Sequence, residues 1–309
     1  MEPLGEHPHP GHVIAHISDP HLLAGGALQY GQIDTVEHLQ RALTRLGQIE
    51  MPPQAIVFTG DLADEGEPAA YARLRAIVEP AAAAWGAQVI WCMGNHDERE
   101  PYSRELFGEE SAQPQDRVHD VAGLRIVALD TTVPGWHHGA LDPDQLTWLT
   151  GVLATPAEHG TLLAMHHPPI PVPMVPEAEL IALHDQRALA EVVHGTDVRA
   201  VIGGHFHYTS FSTFAGVPVS VASATCYTLD PAPDGRVTSG VDGAHAFTML
   251  HVYADRIVHT VVPAQGSPEV VGFPASARDL LLTLSPQERF EMVSRKDSPL
   301  NTGAISLAD

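Results

Sequence analysis

The sequence predicts an α/β fold in which two packed sheets have helices on their outer sides, and three observations predict it. Short apolar, β-branched runs recur at 12–17, 55–59, 88–93, 124–129, 161–165, 198–202, 218–222, 246–253 and 256–262. Segments of helical periodicity separate the early runs, a pattern that goes with largely parallel sheet. The last two runs follow one another with no helix between them and read as a hairpin.

The helices are announced by their caps. Asp34, with Glu37 three residues on, opens a segment whose Val36, Leu39, Leu43 and Leu46 fall on one face. Asp142-Pro143-Asp144-Gln145 supplies an N-cap, a proline at the first helical position and a capping glutamine ahead of Leu146, Trp148 and Leu149. Ser285-Pro286-Gln287-Glu288 repeats the device near the C-terminus. The expected organisation is a main domain over 1–274 and a helical appendage over 275–309, with helices near 276–284 and 286–293. Its Leu280, Leu281, Leu282, Leu284, Phe290 and Met292 are expected to cover a sheet edge, a dimer contact or an active-site cap being the alternatives.

Composition narrows the function. The chain has 309 residues, 44% of them hydrophobic and 17% charged, which supports a sizeable core and excludes a disordered composition. Its net charge of -22, from 16 Lys+Arg against 38 Asp+Glu, argues against a nucleic-acid polymer as partner, since phosphates are gripped by basic side chains. Cys92 and Cys226 are too few for a disulfide framework or a thiolate zinc site. The first dozen residues lack a basic region followed by an apolar stretch. The apolar stretch 81–93 is broken by Gly86 and Gln88 and falls short of the ~20 residues of a membrane span. No membrane span is expected, and the cytoplasm is the expected location.

Polar residues able to hold metal follow the predicted strands one cluster after another. They are Asp19-Pro20-His21, Gly60-Asp61-Leu62-Ala63-Asp64, Gly94-Asn95-His96-Asp97, His166-His167-Pro168-Pro169 and Gly203-Gly204-His205-Phe206-His207. In α/β folds ligands gather beyond the carboxyl ends of strands, so these clusters should converge. Carboxylate oxygen and imidazole nitrogen suit hard or borderline cations, and an aspartate can bridge two of them; Asp61, central in sequence, is the natural bridge.

In this order the clusters D-x-H, G-D-x-x-D, G-N-H-D, H-H-P-P and G-H-x-H resemble the signature of the calcineurin-like metallophosphoesterases, over about 14–208. The resemblance implies a four-layer α/β/β/α sandwich and two divalent or trivalent metal ions per subunit. It implies one ion on Asp19, His21, Asp61 and His207, and the other on Asp61, Asn95, His166 and His205. Asp61 and a hydroxide would bridge them, and the metal-bound hydroxide would attack phosphorus. It makes Asp61, Asn95 and His96 the catalytic set, with His96 stabilising the transition state or protonating the leaving alkoxide. Asp64 is expected to orient a ligand histidine, and its place, where purple acid phosphatases carry a tyrosine ligand, argues against a purple tyrosinate complex. His167 is expected to be structural or pocket-lining. Substrate contact is expected from His96, His207 and His138, the last in a loop it shares with His137.

HISDPHLL, AIVFTGDLADEGEPAAY, ALDTTVPGWHHGAL, AMHHPPIP and PVSVASATCYT are similar to the class III cyclic-nucleotide phosphodiesterases, above all actinobacterial members. That branch implies hydrolysis of 3′,5′-cyclic AMP and cyclic GMP to 5′-monophosphates, with Mn²⁺ or Fe²⁺/Fe³⁺ (Zn²⁺ and Co²⁺ also fit the ligands) and a homodimer. The alternative enzyme is a broad-specificity small phosphodiesterase acting on 2′,3′-cyclic nucleotides or glycerophosphodiesters. A metal-free scaffold of the same fold is the alternative outside enzymes; it requires missing ligands, and none is missing.

Overall fold

A computed structural model describes residues 5–270, 272–298, 300 and 301. Pro10–Gln265 forms one compact unit, and the described residues on either side of it form another. The larger unit runs β1 (His12–Ile17), α1 (Thr35–Leu46), β2 (Ala55–Thr59), α2 (Pro68–Trp85), β3 (Gln88–Cys92), α3 (Arg99–Phe107), β4 (Arg117–Val121), β5 (Leu124–Leu129), α4 (Pro143–Leu153) and β6 (Thr161–Met165). It continues with α5 (Gln186–Val193), β7 (Val198–Gly203), β8 (Ser210–Phe214), β9 (Val217–Val221), β10 (Thr228–Asp230), β11 (Ser239–Val241), β12 (Ala246–Val252) and β13 (Ile257–Pro263). The smaller unit holds α6 (Ala275–Thr283) and α7 (Pro286–Ser294), close to the expected helices; the expected appendage beyond 301 lies outside the described residues.

Two sheets dominate. One has the order β13-β12-β1-β2-β3, the other β4-β5-β6-β7-β9-β8, and β10 and β11 form a separate ribbon. In the first, β1, β2 and β3 are parallel while β12 and β13 run antiparallel as the expected hairpin. In the second, β5, β6, β7 and β9 are parallel, with β4 and β8 antiparallel at the edges.

Three apolar clusters separate four layers. Ala15, Ile17, Ile56, Phe58 and Trp91 pack with Leu39 and Leu43 of α1 and Tyr71 and Leu74 of α2. The alternate residues Ile14, Ala55, Val57 and Ile90 meet Leu124, Ile126, Leu162 and Ala200 of the other sheet. Val127, Leu163 and Val201 then pack outward with Leu149 of α4 and Leu189 of α5. Both faces of β1, β2 and β6 are therefore buried, which is why their sequences read as unbroken apolar runs. The fold is the four-layer α/β/β/α sandwich.

The caps form as expected. Asp34 accepts from the Glu37 amide, and Asp142 with Gln145 and Ser285 with Glu288 make reciprocal capping boxes. Helices α2, α3, α5 and α6 begin without a side-chain cap, so the signal that marks α1, α4 and α7 is missing from their sequences. Two further strands, β4 and β8, are edge strands joined to β5 and β9 by two-residue turns, Ala122-Gly123 and Ala215-Gly216. Both residues of each turn have positive φ, and the alanines hide the usual Asn-Gly or Asp-Gly signal.

His12 and His16 are the polar residues of β1, and His16 is the one wholly buried. Its Nε2–H donates to the Thr59 hydroxyl at 2.8 Å, Thr59 donates on to Ser18, and Nδ1 is buried with no partner. Burial, helped by His259 and opposed by Asp19, pushes this imidazole down to about 3. The ring is neutral when folded, and between pH 6.5 and 3 only the unfolded chain takes up its proton, so stability falls as pH falls through that window. Urea unfolding should show the wild type losing ~2 kcal/mol more than His16→Gln on going from about pH 6.5 to about pH 5. Equal losses in the two proteins would mean that His16 carries no such penalty.

Candidate metal centre

The polar clusters leave the carboxyl ends of β1, β2 and β3 in one sheet and of β6 and β7 in the other. Their loops are sewn together by backbone. Asp19 N donates to Gly60 O (3.2 Å), His21 N to Asp61 O (2.9 Å) and Leu22 N to Leu62 O (3.0 Å), extending the β1–β2 pairing past the strand ends. Gly204 N donates to His166 O (3.0 Å), and His205 N reaches both Asp19 carboxylate oxygens at 3.2 Å, which joins the two sheets.

The turns are tight enough to force unusual backbone. Asp19, His21, Asp61, His205 and His207 have φ of 52, 44, 48, 75 and 56°, left-handed values that cost a non-glycine residue about 1–2 kcal/mol each. Such strain gathers where a site over-determines its backbone. At Gly94 a Cβ would stand 2.2 Å from Asp61 N and 2.3 Å from Asp61 Oδ1. At Gly204 it would stand 1.9 Å from Ser18 Oγ. No side chain fits at either place.

The result is two overlapping groups of atoms. In the first, His21 Nε2 lies 3.3 Å from Asp61 Oδ2 and 3.3 Å from His207 Nε2, and His207 Nε2 lies 3.4 Å from Asp19 Oδ1. In the second, His166 Nε2 lies 3.3 Å from Asp61 Oδ2, 3.0 Å from Asn95 Oδ1 and 3.2 Å from His205 Nδ1. Asp61 Oδ2 belongs to both.

Proton accounting shows what these groups need. Each imidazole donates its outer N–H away from the centre: His21 Nδ1 to Asp64 Oδ1 (2.8 Å), His207 Nδ1 to Tyr227 O (3.0 Å), His166 Nδ1 to Thr59 O (2.7 Å) and His205 Nε2 to Ile181 O (2.9 Å). Asn95 likewise donates through Nδ2 to His137 Nδ1 (2.9 Å), turning its oxygen inward. With neutral rings, every atom facing the centre is then a lone pair or a carboxylate oxygen. Such a cluster must take up positive charge, as protons or as metal cations.

The titration behaviour expresses the same demand. Burial alone would raise the Asp61 carboxyl, but the His166 and His21 imidazoles outweigh it and hold it well below the usual range. Burial would likewise raise Asp19, and His207 with His166 brings it to about 2. Burial would lower His207, yet Cys226 and Asp19 lift it to about 10. His205 goes the other way, down to about 3, through burial and its neighbour His166. Metal ions compete with these protons for the same lone pairs. The Asp/His clusters are able to bind metal: Asp19, His21, Asp61 and His207 place their ligand atoms within 4.8 Å of one another, as do His166, His167 and His205. The oxygen and imidazole donor set fits hard or borderline ions.

His96 sits beside Asn95 with its backbone N–H on Asp61 Oδ1 (2.9 Å) and its Nδ1–H on the Asp64 carbonyl (2.8 Å), so Nε2 is the ring atom left to exchange a proton. The other residues of interest divide by their bonds. His167 has both nitrogens engaged, Nε2 donating to His137 O (3.1 Å) and Nδ1 accepting from Thr131 (2.7 Å). His138 stacks on His184 with ring centroids 4.4 Å apart, while its neighbour His137 is the one bonded to Asn95. Next to Asn95 opens a cleft of about 380 Å³ bordered by Glu98, Arg99, Thr132 and Pro134.

The chain belongs to the calcineurin-like phosphoesterase family, whose model matches residues 12–209. Among its relatives is the cAMP/cGMP dual specificity phosphodiesterase of Mycobacterium tuberculosis (strain CDC 1551 / Oshkosh), 50% identical over 294 residues, 95% of this chain and 92% of the relative. A protein of Rhodococcus erythropolis (strain PR4 / NBRC 100887), described as a probable cyclic nucleotide phosphodiesterase, is 48% identical over 273 residues, 88% of this chain and 90% of its own. A dimetal phosphatase from Danio rerio shares the fold, with a TM-score of 0.58 at 17% identity, covering 83% of this chain and 97% of that one.

Sequence reasoning passed over Asp97. Its carboxylate accepts from Leu62 N, Ala63 N, Gly94 N and the Tyr71 hydroxyl, at 2.8–3.1 Å, and so clamps the Asp61 and Asn95 loops together. Burial and the nearby Asp61 push it up to about 6, against the pull of the Gly94, Ala63 and Leu62 amides. It is a positioning residue, and its place in Gly94-Asn95-His96-Asp97 was the available signal.

The Gly94 contact gives a direct test. Gly94→Ala must displace Asp61 and should cost phosphodiester turnover ~10²-fold, with metal content falling alongside. Gly151→Ala is the control, since a Cβ there meets nothing within 4 Å. That helical position should gain about 0.5–1 kcal/mol in thermal unfolding and keep full activity. Normal metal content and turnover in Gly94→Ala would show that the loop has room which this packing denies.

Proposed function

We propose that this protein is a metal-dependent phosphodiesterase that hydrolyses 3′,5′-cyclic AMP and cyclic GMP to the 5′-monophosphates. One observation carries the reading: 50% identity with a cAMP/cGMP dual specificity phosphodiesterase, extending over nearly the full length of both chains. The acceptor-only cluster supports it independently. In a chain of net charge -22, cations at that cluster are the means of drawing in an anionic phosphodiester.

Two ions per subunit would divide the ligands, one taking Asp19, His21, Asp61 and His207, the other Asp61, Asn95, His166 and His205. When bound they supply Lewis-acid polarisation of phosphoryl oxygens and a nucleophile at neutral pH. The remaining work falls to the chain. Asp64 fixes the tautomer of His21, and the carbonyls of Thr59, Ile181 and Tyr227 fix those of His166, His205 and His207, as outer partners of metal ligands do. His96, anchored at its backbone and at Nδ1, presents Nε2 to the O3′ leaving group and donates the proton that the departing alkoxide requires. Asn95 holds its oxygen inward because His137 accepts from its amide. Substrate contact is assigned to His96, His207 and His138, the last by its place beside His137.

Mn²⁺ or Fe²⁺/Fe³⁺ are the ions we assign, from donors suited to borderline cations. A homodimer in the cytoplasm completes the proposal; among the described residues no helix is long and apolar enough to cross a membrane. Light scattering should give twice the chain mass of 33.1 kDa.

The deciding experiment is turnover of 3′,5′-cyclic AMP, 2′,3′-cyclic AMP and bis-p-nitrophenyl phosphate by metal-stripped protein with and without Mn²⁺. Mn²⁺-dependent activity on the 3′,5′ diester, at kcat/KM equal to or above the others, is expected. Activity confined to the aryl and 2′,3′ diesters would move the substrate to the broad-specificity class. His96→Ala should lower kcat by about 10²–10³-fold with metal content unchanged. Asn95→Ala should lower both activity and occupancy of one site; near-normal turnover with that site depleted would overturn the ligand assignment.

A further inference from the structure

A second cluster of metal-ligating atoms lies apart from the centre described above. It is made of His38 on α1 and of Asp242 and His245 in the segment between β11 and β12. The three ligand atoms lie within 4.8 Å of one another. His38 Nε2 is 3.4 Å from Asp242 Oδ1, and His245 Nε2 is 3.8 Å from the same oxygen. The two rings are tilted, with centroids 4.4 Å apart.

The His38 tautomer is set from behind. His38 Nδ1–H donates to the Cys226 carbonyl at 2.7 Å, which leaves a lone pair on Nε2 whenever the ring is neutral. His245 Nε2 is buried with no hydrogen-bond partner. The residue itself is only 4% exposed, and burial with the neighbouring His38 pushes its imidazole down to about 4. Whenever its proton sits on Nδ1, His245 therefore turns a buried, unsatisfied lone pair toward a second imidazole nitrogen and a carboxylate. An apolar contact cannot satisfy it, and a cation can.

We propose that His38, Asp242 and His245 form a third metal site, for a borderline divalent ion of the Zn²⁺ type, outside the centre where phosphoester chemistry takes place. Two imidazoles and one carboxylate are a zinc donor set, and metal–ligand bonds of about 2.0–2.2 Å at tetrahedral angles put ligand atoms about 3.3 Å apart. The 3.4 Å spacing already meets this. The 3.8 Å one closes by a small turn of the Asp242 side chain, which is 63% exposed and free to adjust, and which gives the ion its way in. An ion there would staple α1 to the segment between β11 and β12, beside the Cys226 carbonyl that holds His38. That carbonyl precedes Tyr227, whose own carbonyl orients His207. The role is structural: it braces the back of the loop that holds one wall of the catalytic centre.

The test counts zinc per full-length chain by mass spectrometry after equilibrium dialysis against micromolar free Zn²⁺. Asp242→Ala should bind one equivalent fewer than wild type, with phosphodiester kcat within twofold once Mn²⁺ is supplied. In an Asp61→Asn background one equivalent should persist, raise Tm on addition, and disappear in the Asp61→Asn/Asp242→Ala double variant. Equal zinc in wild type and Asp242→Ala would overturn the proposal, whether or not the Asp61 variant folds. A wild type that binds a single equivalent dependent on Asp242 would uphold this site while overturning the two-ion reading of the other.

Discussion

The cluster beyond the strand ends is short of positive charge, and much of the surrounding architecture follows from that. Asp19, Asp61, Asn95, His21, His166, His205 and His207 turn lone pairs toward a common centre, with the proton-bearing side of each ring tied to an outer acceptor. Buried acceptors facing acceptors are costly unless a cation lies among them. The fold tolerates the arrangement because two sheets, each with its own apolar cluster, are held together by a third cluster between them. Their carboxyl ends deliver the five loops to one place, and the left-handed turns at Asp19, His21, Asp61, His205 and His207 bend the side chains inward.

Rigidity comes from the groups behind the candidate ligands. Asp97 clamps two loops through backbone amides, Asp64 serves both His21 and Gln29, and backbone carbonyls take the remaining imidazole protons. None of these groups faces the centre, yet each decides which atom of its neighbour does. The same device, a carbonyl that fixes a histidine tautomer from behind, recurs at Cys226 for His38. One short stretch, Cys226-Tyr227, thus supports both clusters. The catalytic cluster and the proposed third site therefore share a structural element while drawing on different side chains.

Legibility followed the physics of each feature. Strands β1, β2 and β6 are buried on both faces, so their apolar runs stood out at the bounds later observed. Edge strands β4 and β8 alternate between half-buried and exposed, and their turns use alanine at positive φ, so neither composition nor turn chemistry announced them. Helices α1, α4 and α7 could be placed by their side-chain caps; α2, α3 and α5 start without one and showed only as helical periodicity between strands, and α6, also uncapped, was expected from its apolar residues. The candidate ligands were visible because the chemistry requires particular side chains. Asp97 was visible as a letter but not as a clamp, since its partners are backbone amides that every residue possesses.

The sequence by itself determined the class of chemistry, because carboxylate, carboxamide and imidazole after successive strands have few other uses in that order. It determined the layering as well, through which strands are apolar throughout and which are not. Only the tertiary structure decided the pairing of donors, as when His137 rather than His138 came to hold Asn95. It alone brought His38 within reach of Asp242 and His245, some two hundred residues further along the chain. The reason is that a side chain's identity is written locally, whereas its tautomer, its strain and the direction its lone pair faces are set by backbone groups folded in from elsewhere.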